Sequence, residues 1–478
     1  MANAMRAGSP VPGSTTGMAA LDRASVRGVT AARIDRLPLT RVQWQLAILV
    51  EITWGFIVFD TDGIGARLYP FVWRPNHIIT VGQYAVIQAL QVGLGVLLGV
   101  YIMSWVADRY GRRPAILLST LLGGICIWPF AYVTDFWPMV GLSVLSTLGV
   151  GGIVSTHSVY LSEMIAPGER GKVLLTSQGV TALVAVGVNL LAFAWIPGQW
   201  QLFLWVSGAV LVAVLLPLLW WLLPESPRWL EARGRHDEAE AVMAQYELRC
   251  QRRLATALPE PDPSRYPVIV GGRGSWRELF TNPLYRGRTV LLIVCWLLGY
   301  AGIVYGVGAF AAVYMVDNGA TPHFVFLTIA AAYAALFVGF LVNARLGERV
   351  ERRDVICAMG ILFAVAWGVA WLVPSLLVIA ACYIVSRIGT GLYLFNLYNY
   401  TAVAYPTRIR SRAFAWTDGL GHLGAWAGVT LLGPLYVMGP NHLGWVLWIV
   451  VPGALLPALL IRMFGIRQSQ AILEQVSR

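Results

Sequence analysis

The residues of this chain best placed to do chemistry are charges in stretches where charge is costly. Glu51, Asp60 and Asp62 lie within the otherwise apolar run from Val42 to Gly65, and Arg387 lies deep in another apolar run, in Ser386-Arg387-Ile388-Gly389. Such groups are tolerated in hydrocarbon only when they face a cavity or a partner, so each is a functional candidate. A carboxyl in a partly desolvated cavity can load and release a proton, which makes Asp62, Asp60 and Glu51 candidates for proton coupling. Asp62 leads because Gly63 and Gly65 beside it can open the backbone. Glu51 serves equally well as an interhelical hydrogen-bond partner. A guanidinium reads a planar anion with two prongs, so Arg387 is a candidate clamp for a carboxylate or phosphate. The alternative for Arg387 is a structural pair with Asp418 or with a first-span aspartate.

Polar groups follow Arg387 on the same segment. Asn396, Asn399 and Tyr400 share one helical face by their i, i+3, i+4 spacing and, with Tyr393, can supply contacts to a ligand. Gln178 and Tyr300 complete the set of substrate-binding candidates. His157 and His422 read as polar packing groups, with a proton relay as the alternative. No nucleophile–base or metal-ligand spacing occurs in the apolar runs, which excludes a membrane enzyme and calls for no cofactor. The five cysteines are scattered and read as packing residues.

The elements that must position these groups are membrane spans. The chain is 57% hydrophobic and 12% charged, the composition of a polytopic membrane protein. Its net charge of +11 gathers in short loops between apolar runs, as positive-inside topology requires, so nucleic acid is not the partner; the lipid bilayer is. The sharpest of these loops is Ser104-Trp105-Val106-Ala107-Asp108-Arg109-Tyr110-Gly111-Arg112-Arg113. It returns later in the chain: Asp108, Arg109, Arg112 and Arg113 match Glu348, Arg349, Arg352 and Arg353 in spacing. At the same offset Ser146, Gly149, Gly151, Tyr160 and Arg170 match Ser386, Gly389, Gly391, Tyr400 and Arg410. Two matches at one offset mean an internal duplication, the layout of a transporter.

The spans number twelve. Residues 1–41 read as a mobile cytoplasmic tail, 42–223 as a six-helix bundle, 224–288 as a cytoplasmic linker, 289–463 as a second six-helix bundle and 464–478 as a second tail. Both termini are then cytoplasmic. In the linker, Ser226 as N-cap and Pro227 at the first helical position open an amphipathic helix through Leu254, expected at the membrane surface. The small residues Gly149-Val150-Gly151-Gly152 are expected to let a neighbouring helix approach closely.

The basic corner resembles the signature loop of the major facilitator superfamily, with Ser104 where Gly is usual and Glu351 where the second copy usually has Gly. Pro224-Glu225-Ser226-Pro227-Arg228-Trp229-Leu230, with Tyr160, Glu163, Pro167, Arg170 and Gly171 before it, is similar to the branch of sugar porters, organic-ion transporters and niacin- or aromatic-acid-type proton symporters. The resemblance implies an all-α membrane protein of twelve transmembrane helices in two six-helix halves related by an internal repeat. It also implies a conformational latch at the cytoplasmic helix ends, made by Asp108, Arg109, Arg112, Arg113, Glu163, Arg170, Glu225, Arg228, Glu348 and Arg352. Partly wet ion pairs of about 1 kcal/mol each suit a set that must switch.

The reading is a monomeric secondary carrier in the inner (plasma) membrane. It imports a small organic metabolite, an organic anion, by alternating access, coupled to protons or facilitative. The rivals are a neutral-sugar porter and a non-transporting membrane sensor on the carrier fold.

Overall fold

The computed structural model describes residues 30–467 apart from 31, 62, 253–256, 263–274, 309, 347–349, 406 and 439–441. No strand occurs among the described residues. The first span is α1 (Arg41–Gly55), opened by a capping box in which Thr40 and Gln43 satisfy each other's backbone amides, and prolonged by a π-helical stretch, Phe56–Thr61. Then come α2 (Val81–Tyr110), α3 (Arg112–Ile125), α4 (Phe136–Met164), α5 (Pro167–Trp195) and α6 (Trp200–Leu222). Two short helices, α7 (Pro227–Ala232) and α8 (His236–Gln251), precede the second half. That half comprises α9 (Pro283–Val304), α10 (Pro322–Leu346), α11 (Arg352–Leu372), α12 (Leu376–Val403), α13 (Thr407–Met438) and α14 (His442–Phe464).

Among the described residues nine helices are long and apolar enough to cross a membrane, α2 to α6 and α9 to α12. With α1, α13 and α14 they make the twelve spans read from the sequence. α1 falls short because its α-helical part has only 15 residues before the π stretch takes over. α14 has its apolar part confined to Trp448–Phe464.

Helices within the first half approach through glycine. A Cβ on Gly149 would lie 2.8 Å from the backbone nitrogen of Gly123 in α3, and one on Gly151 would lie 2.6 Å from that of Val100 in α2. Only glycine admits both neighbours, which is the close approach read from the sequence. Between halves, α5 packs on α10 and α2 on α13.

The two faces of the bundle differ. On the face opposite the basic corner the halves are joined: Arg74 pairs with Asp317, Phe71 meets Phe326 at 5.1 Å, and Phe193 meets His323 at 4.7 Å. Arg67 is 4% exposed, and its Nε donates to Asn189 Oδ1 at 3.4 Å.

Two expectations for the basic face are corrected. The amphipathic linker helix is two helices, split at Gly234, whose φ of 76° suits glycine. Its apolar side rests on the first half, because Ala239, Met243, Tyr246 and Cys250 are buried there, not laid on lipid. Tyr246 donates to the carbonyl of Met164 and Trp229 Nε1 to that of Asp108. The end of the N-terminal tail is docked rather than mobile: Ala32, Ile34 and Leu37 are buried, and Arg33 and Arg36 both bond Glu247 of α8. Apolar spacing in a short segment supplied a buried edge that arginines then pin.

Candidate functional site: buried charges between the helices

The charged groups of the basic face pair with one another. Arg112 reaches Asp108 one turn earlier at 2.7 Å and grips Glu163 at the end of α4 at 3.0 to 3.3 Å. Glu225 accepts from the backbone amides of Arg112, Arg113 and Ser226. Gly111, at φ 123°, makes this possible, since a Cβ there would collide with the Glu225 carboxylate. Burial pushes the Glu225 carboxyl up, and the three amides act against that. Arg228 lies 3.7 Å from Asp35, and Ser226 caps α7 by accepting from Trp229 as read from the sequence. Arg109 lies over Trp105 and Tyr110, and Arg170 Nη2 is 3.5 Å from the carbonyl of Ile165. These contacts all lie within the first half, its linker and its N-terminal segment. Glu348 lies outside the described residues, and Arg352 stands half-buried at the start of α11.

The middle of the bundle is built differently. Glu51 is 0% exposed, and its carboxylate accepts from Thr181 at 2.9 Å and Ser177 at 3.4 Å, both on α5. One turn on, Trp54 stacks on His157 of α4 with ring centroids 4.4 Å apart. His157 Nδ1 lies 2.9 Å from the carbonyl of Ile153, while its Nε2 is buried with no hydrogen-bond partner among the described residues. The carbonyl oxygen of Gln178, beside Ser177, is likewise buried and without a partner. The Asp60 side chain and Asp62 lie outside the described residues.

In the second half Tyr300 of α9 donates to Asp418 of α13 at 2.7 Å and shares a 2.9 Å hydrogen bond with Tyr398 of α12. His422, one turn beyond Asp418, sets its ring 4.6 Å from that of Tyr300. Trp296 and Phe414 complete an aromatic wall around Tyr398.

Arg387 is 7% exposed. Its Nη2 donates to the hydroxyl of Tyr383 at 2.9 Å, and its guanidinium lies 4.9 Å from the Tyr383 ring and 5.8 Å from that of Tyr333. The pairing of Arg387 with Asp418 is not made; Asp418 is held by tyrosine. Arg387 and Tyr398 are eleven residues apart on α12, so they lie on nearly one face but roughly 16 Å apart along the axis. They are two stations, not one pocket for a small ring.

Three residues grouped with Arg387 by spacing are engaged elsewhere. Tyr393 donates to the carbonyl of Cys295, Asn396 to Asn343 Oδ1 at 2.8 Å, and Tyr400 to the carbonyl of Ile466. Helical spacing placed Asn396 and Tyr400 on a common face, but neighbouring segments of the chain occupy their polar groups. Asn399 is half-buried. The sequence reading missed Asp418 as the centre of a cluster and missed Trp54 against His157. A lone acid within a long apolar helix was the available signal for Asp418.

Comparison with known proteins agrees with this architecture. The model of the Sugar (and other) transporter family matches residues 79–318, just over half of the chain. The chain belongs to that family. It is 28% identical to the 4-hydroxybenzoate transporter PcaK of Pseudomonas aeruginosa, over 90% of this chain and 93% of that protein. It is 26% identical to the gallate transporter of Pseudomonas putida, over 85% of this chain and 88% of that protein. In fold it is similar to the inward-open xylose transporter XylE of E. coli, with a TM-score of 0.67, 15% identity and coverage of 91% of this chain and 98% of that one. The protein is a multi-pass membrane transporter of the major facilitator type, not an enzyme. Small molecules are its substrates.

Proposed function

We propose that this transporter imports a small organic anion, in symport with protons, and acts as a monomer with the basic face and both termini in the cytoplasm. The observation that carries the anion is Arg387, a permanent positive charge in the middle of the bundle with no carboxylate partner among the described residues. A buried cation whose partners among the described residues are a hydroxyl and two ring faces calls for a mobile counter-charge. The named substrates of two relatives, 4-hydroxybenzoate and gallate, are carboxylates and support this class.

The proton reading rests on carboxyls held inside the bundle by hydroxyls, one buried and one half-buried. Hydroxyl partners can hydrogen-bond a carboxyl in either protonation state, because a hydroxyl both donates and accepts. Asp418 with Tyr300 and Tyr398, and Glu51 with Ser177 and Thr181, are such sites. Asp62 and Asp60 remain in the proposed coupling set. Contacts that join the halves on the opposite face, Arg74–Asp317 and Phe71–Phe326, support an inward-facing reading of this structure, and the latch contacts described above for the basic face lie within the first half, its linker and its N-terminal segment.

The test is uptake into proteoliposomes. Labelled 4-hydroxybenzoate should accumulate when the outside is acidic, whereas labelled xylose should not. Asp62→Asn should end accumulation driven by the pH gradient and preserve exchange of labelled for unlabelled substrate. Accumulation of xylose alone would establish the second reading, a neutral-sugar porter. The unpartnered Gln178 carbonyl favours that reading, as an acceptor suited to a substrate hydroxyl.

A further inference from the structure

A cavity of about 430 Å³ lies where the end of α6, the basic corner and α8 meet. Its floor includes Pro224, Glu225 and Leu230, and its walls carry Arg113, Arg235 and Arg249. Its membrane side is formed by Trp220 and Trp221, which are 60% and 75% exposed at the last turn of a membrane span. Indoles exposed at that depth sit at the headgroup level of a bilayer.

The charges of this cavity do not cancel. Glu225 is occupied by three backbone amides, and Glu238 is bonded by Arg235 at 2.6 and 2.7 Å. Arg113 donates to the Trp220 carbonyl and lies 5.1 Å from the Trp220 ring. Neither Arg113 nor Arg249 has a carboxylate partner among the described residues. Two guanidiniums without a carboxylate, beside a pair of indoles at the headgroup level, define the chemistry of the missing partner. It carries a phosphate on the water side and acyl chains on the other.

We propose that this cavity binds the headgroup of an anionic phospholipid, with Arg113 and Arg249 on the phosphate and Trp220 and Trp221 flanking the glycerol and upper acyl region. Guanidinium pairs phosphate with charge-assisted, two-pronged hydrogen bonds, and basic pockets at the cytoplasmic ends of membrane helices suit anionic headgroups. Such a lipid ties α8 to the basic corner.

The test uses the full-length protein purified in neutral detergent, with phosphatidylglycerol, phosphatidylcholine or inorganic phosphate added and bound lipid counted by native mass spectrometry. One phosphatidylglycerol should be retained and should raise the melting temperature; phosphatidylcholine should do neither. Arg249→Gln should weaken retention by about tenfold, the scale of one lost charge-assisted contact, and Trp221→Ala should weaken it through lost apolar contact; both residues are exposed, and melting without lipid should stay at the wild-type value. Arg286→Gln, an exposed arginine at the start of the second half, should retain the lipid as wild type does. Absence of a retained phosphatidylglycerol would overturn the proposal. So would equal loss in Arg286→Gln, which would indicate unspecific surface charge. Equal stabilisation by inorganic phosphate would replace the lipid with a free anion and equally overturn it.

Discussion

The charges of the basic face and those of the middle of the bundle follow opposite rules. On the face the acids at the helix ends hold cations or rows of amides: Glu163 has Arg112, Glu225 has three backbone nitrogens, and Glu247 has Arg33 and Arg36. In the middle, Glu51 and Asp418 have hydroxyls, and Arg387 has a hydroxyl and two rings. Opposite charges that could have neutralised one another are kept on separate helices. A fixed ion pair in low dielectric would be hard to break in each transport cycle. Hydroxyl-bonded charges keep their counter-charge exchangeable, which is what a carrier of anions and protons requires.

The largest effect should come from emptying the Glu51 site. Glu51→Ala removes a fully buried side chain between α1 and α5 and should lower stability by about 2–3 kcal/mol through the cavity it leaves. Glu51→Gln keeps the shape and the hydroxyl bonds and removes the buried charge, so its melting temperature should stay at the wild-type value or rise. A strongly destabilised Glu51→Gln protein would mean that a hidden cation pairs with this acid, and the contrast with the face would dissolve.

Next in size is Asp418→Asn. The tyrosine hydroxyls can still donate to an amide oxygen, so folding should be unaffected. Proton-driven uptake should fall about tenfold, the scale of one lost charge-assisted contact in the cycle. Uptake that remains proton-driven at the wild-type rate would remove Asp418 from the coupling set.

The smallest effect belongs to the face. Burial pushes the Glu247 carboxyl up, but the hydrogen bonds from Arg33 and Arg36 outweigh it and hold the group below its ordinary value. A depressed carboxyl contributes stability that is present above its unfolded-state value and is lost as pH falls through the folded-state value. Wild type should therefore resist proteolysis at residues 30–40 better than Glu247→Gln at neutral pH, and the difference should shrink below the ordinary carboxyl value and vanish once pH has fallen through the depressed folded-state value. A difference that persists at low pH would show that Ile34 and Leu37 dock the segment without help from charge.

Much of this architecture was legible in the chain because membrane physics writes it locally. Long apolar runs, arginines confined to short corners and glycines at helix crossings each carry their reason within a few residues of sequence. Ser226 and Pro227 announced the start of α7. What stayed hidden depends on which helices become neighbours. Nothing near Glu247 marks Arg33 as its partner, and nothing near Asp418 marks Tyr300. Asn396 and Tyr400 show the converse: spacing gave them a shared face, while the packing of α12 against other helices decided what that face touches. The π-helical stretch after Gly55 also escaped, since nothing in its residue types distinguishes it from an α-helical continuation.

The central claim is that Arg387 waits for a substrate anion. The direct test measures melting temperature and 4-hydroxybenzoate binding on the same two variants, Arg387→Lys and Arg387→Gln. The lysine keeps the charge without the two-pronged geometry and should weaken binding by about 1–3 kcal/mol. The glutamine should abolish binding, and both proteins should melt as wild type does. An Arg387→Gln protein that loses roughly 3–5 kcal/mol of stability, as when a buried acid is stripped of its partner, yet still binds 4-hydroxybenzoate would contradict the account.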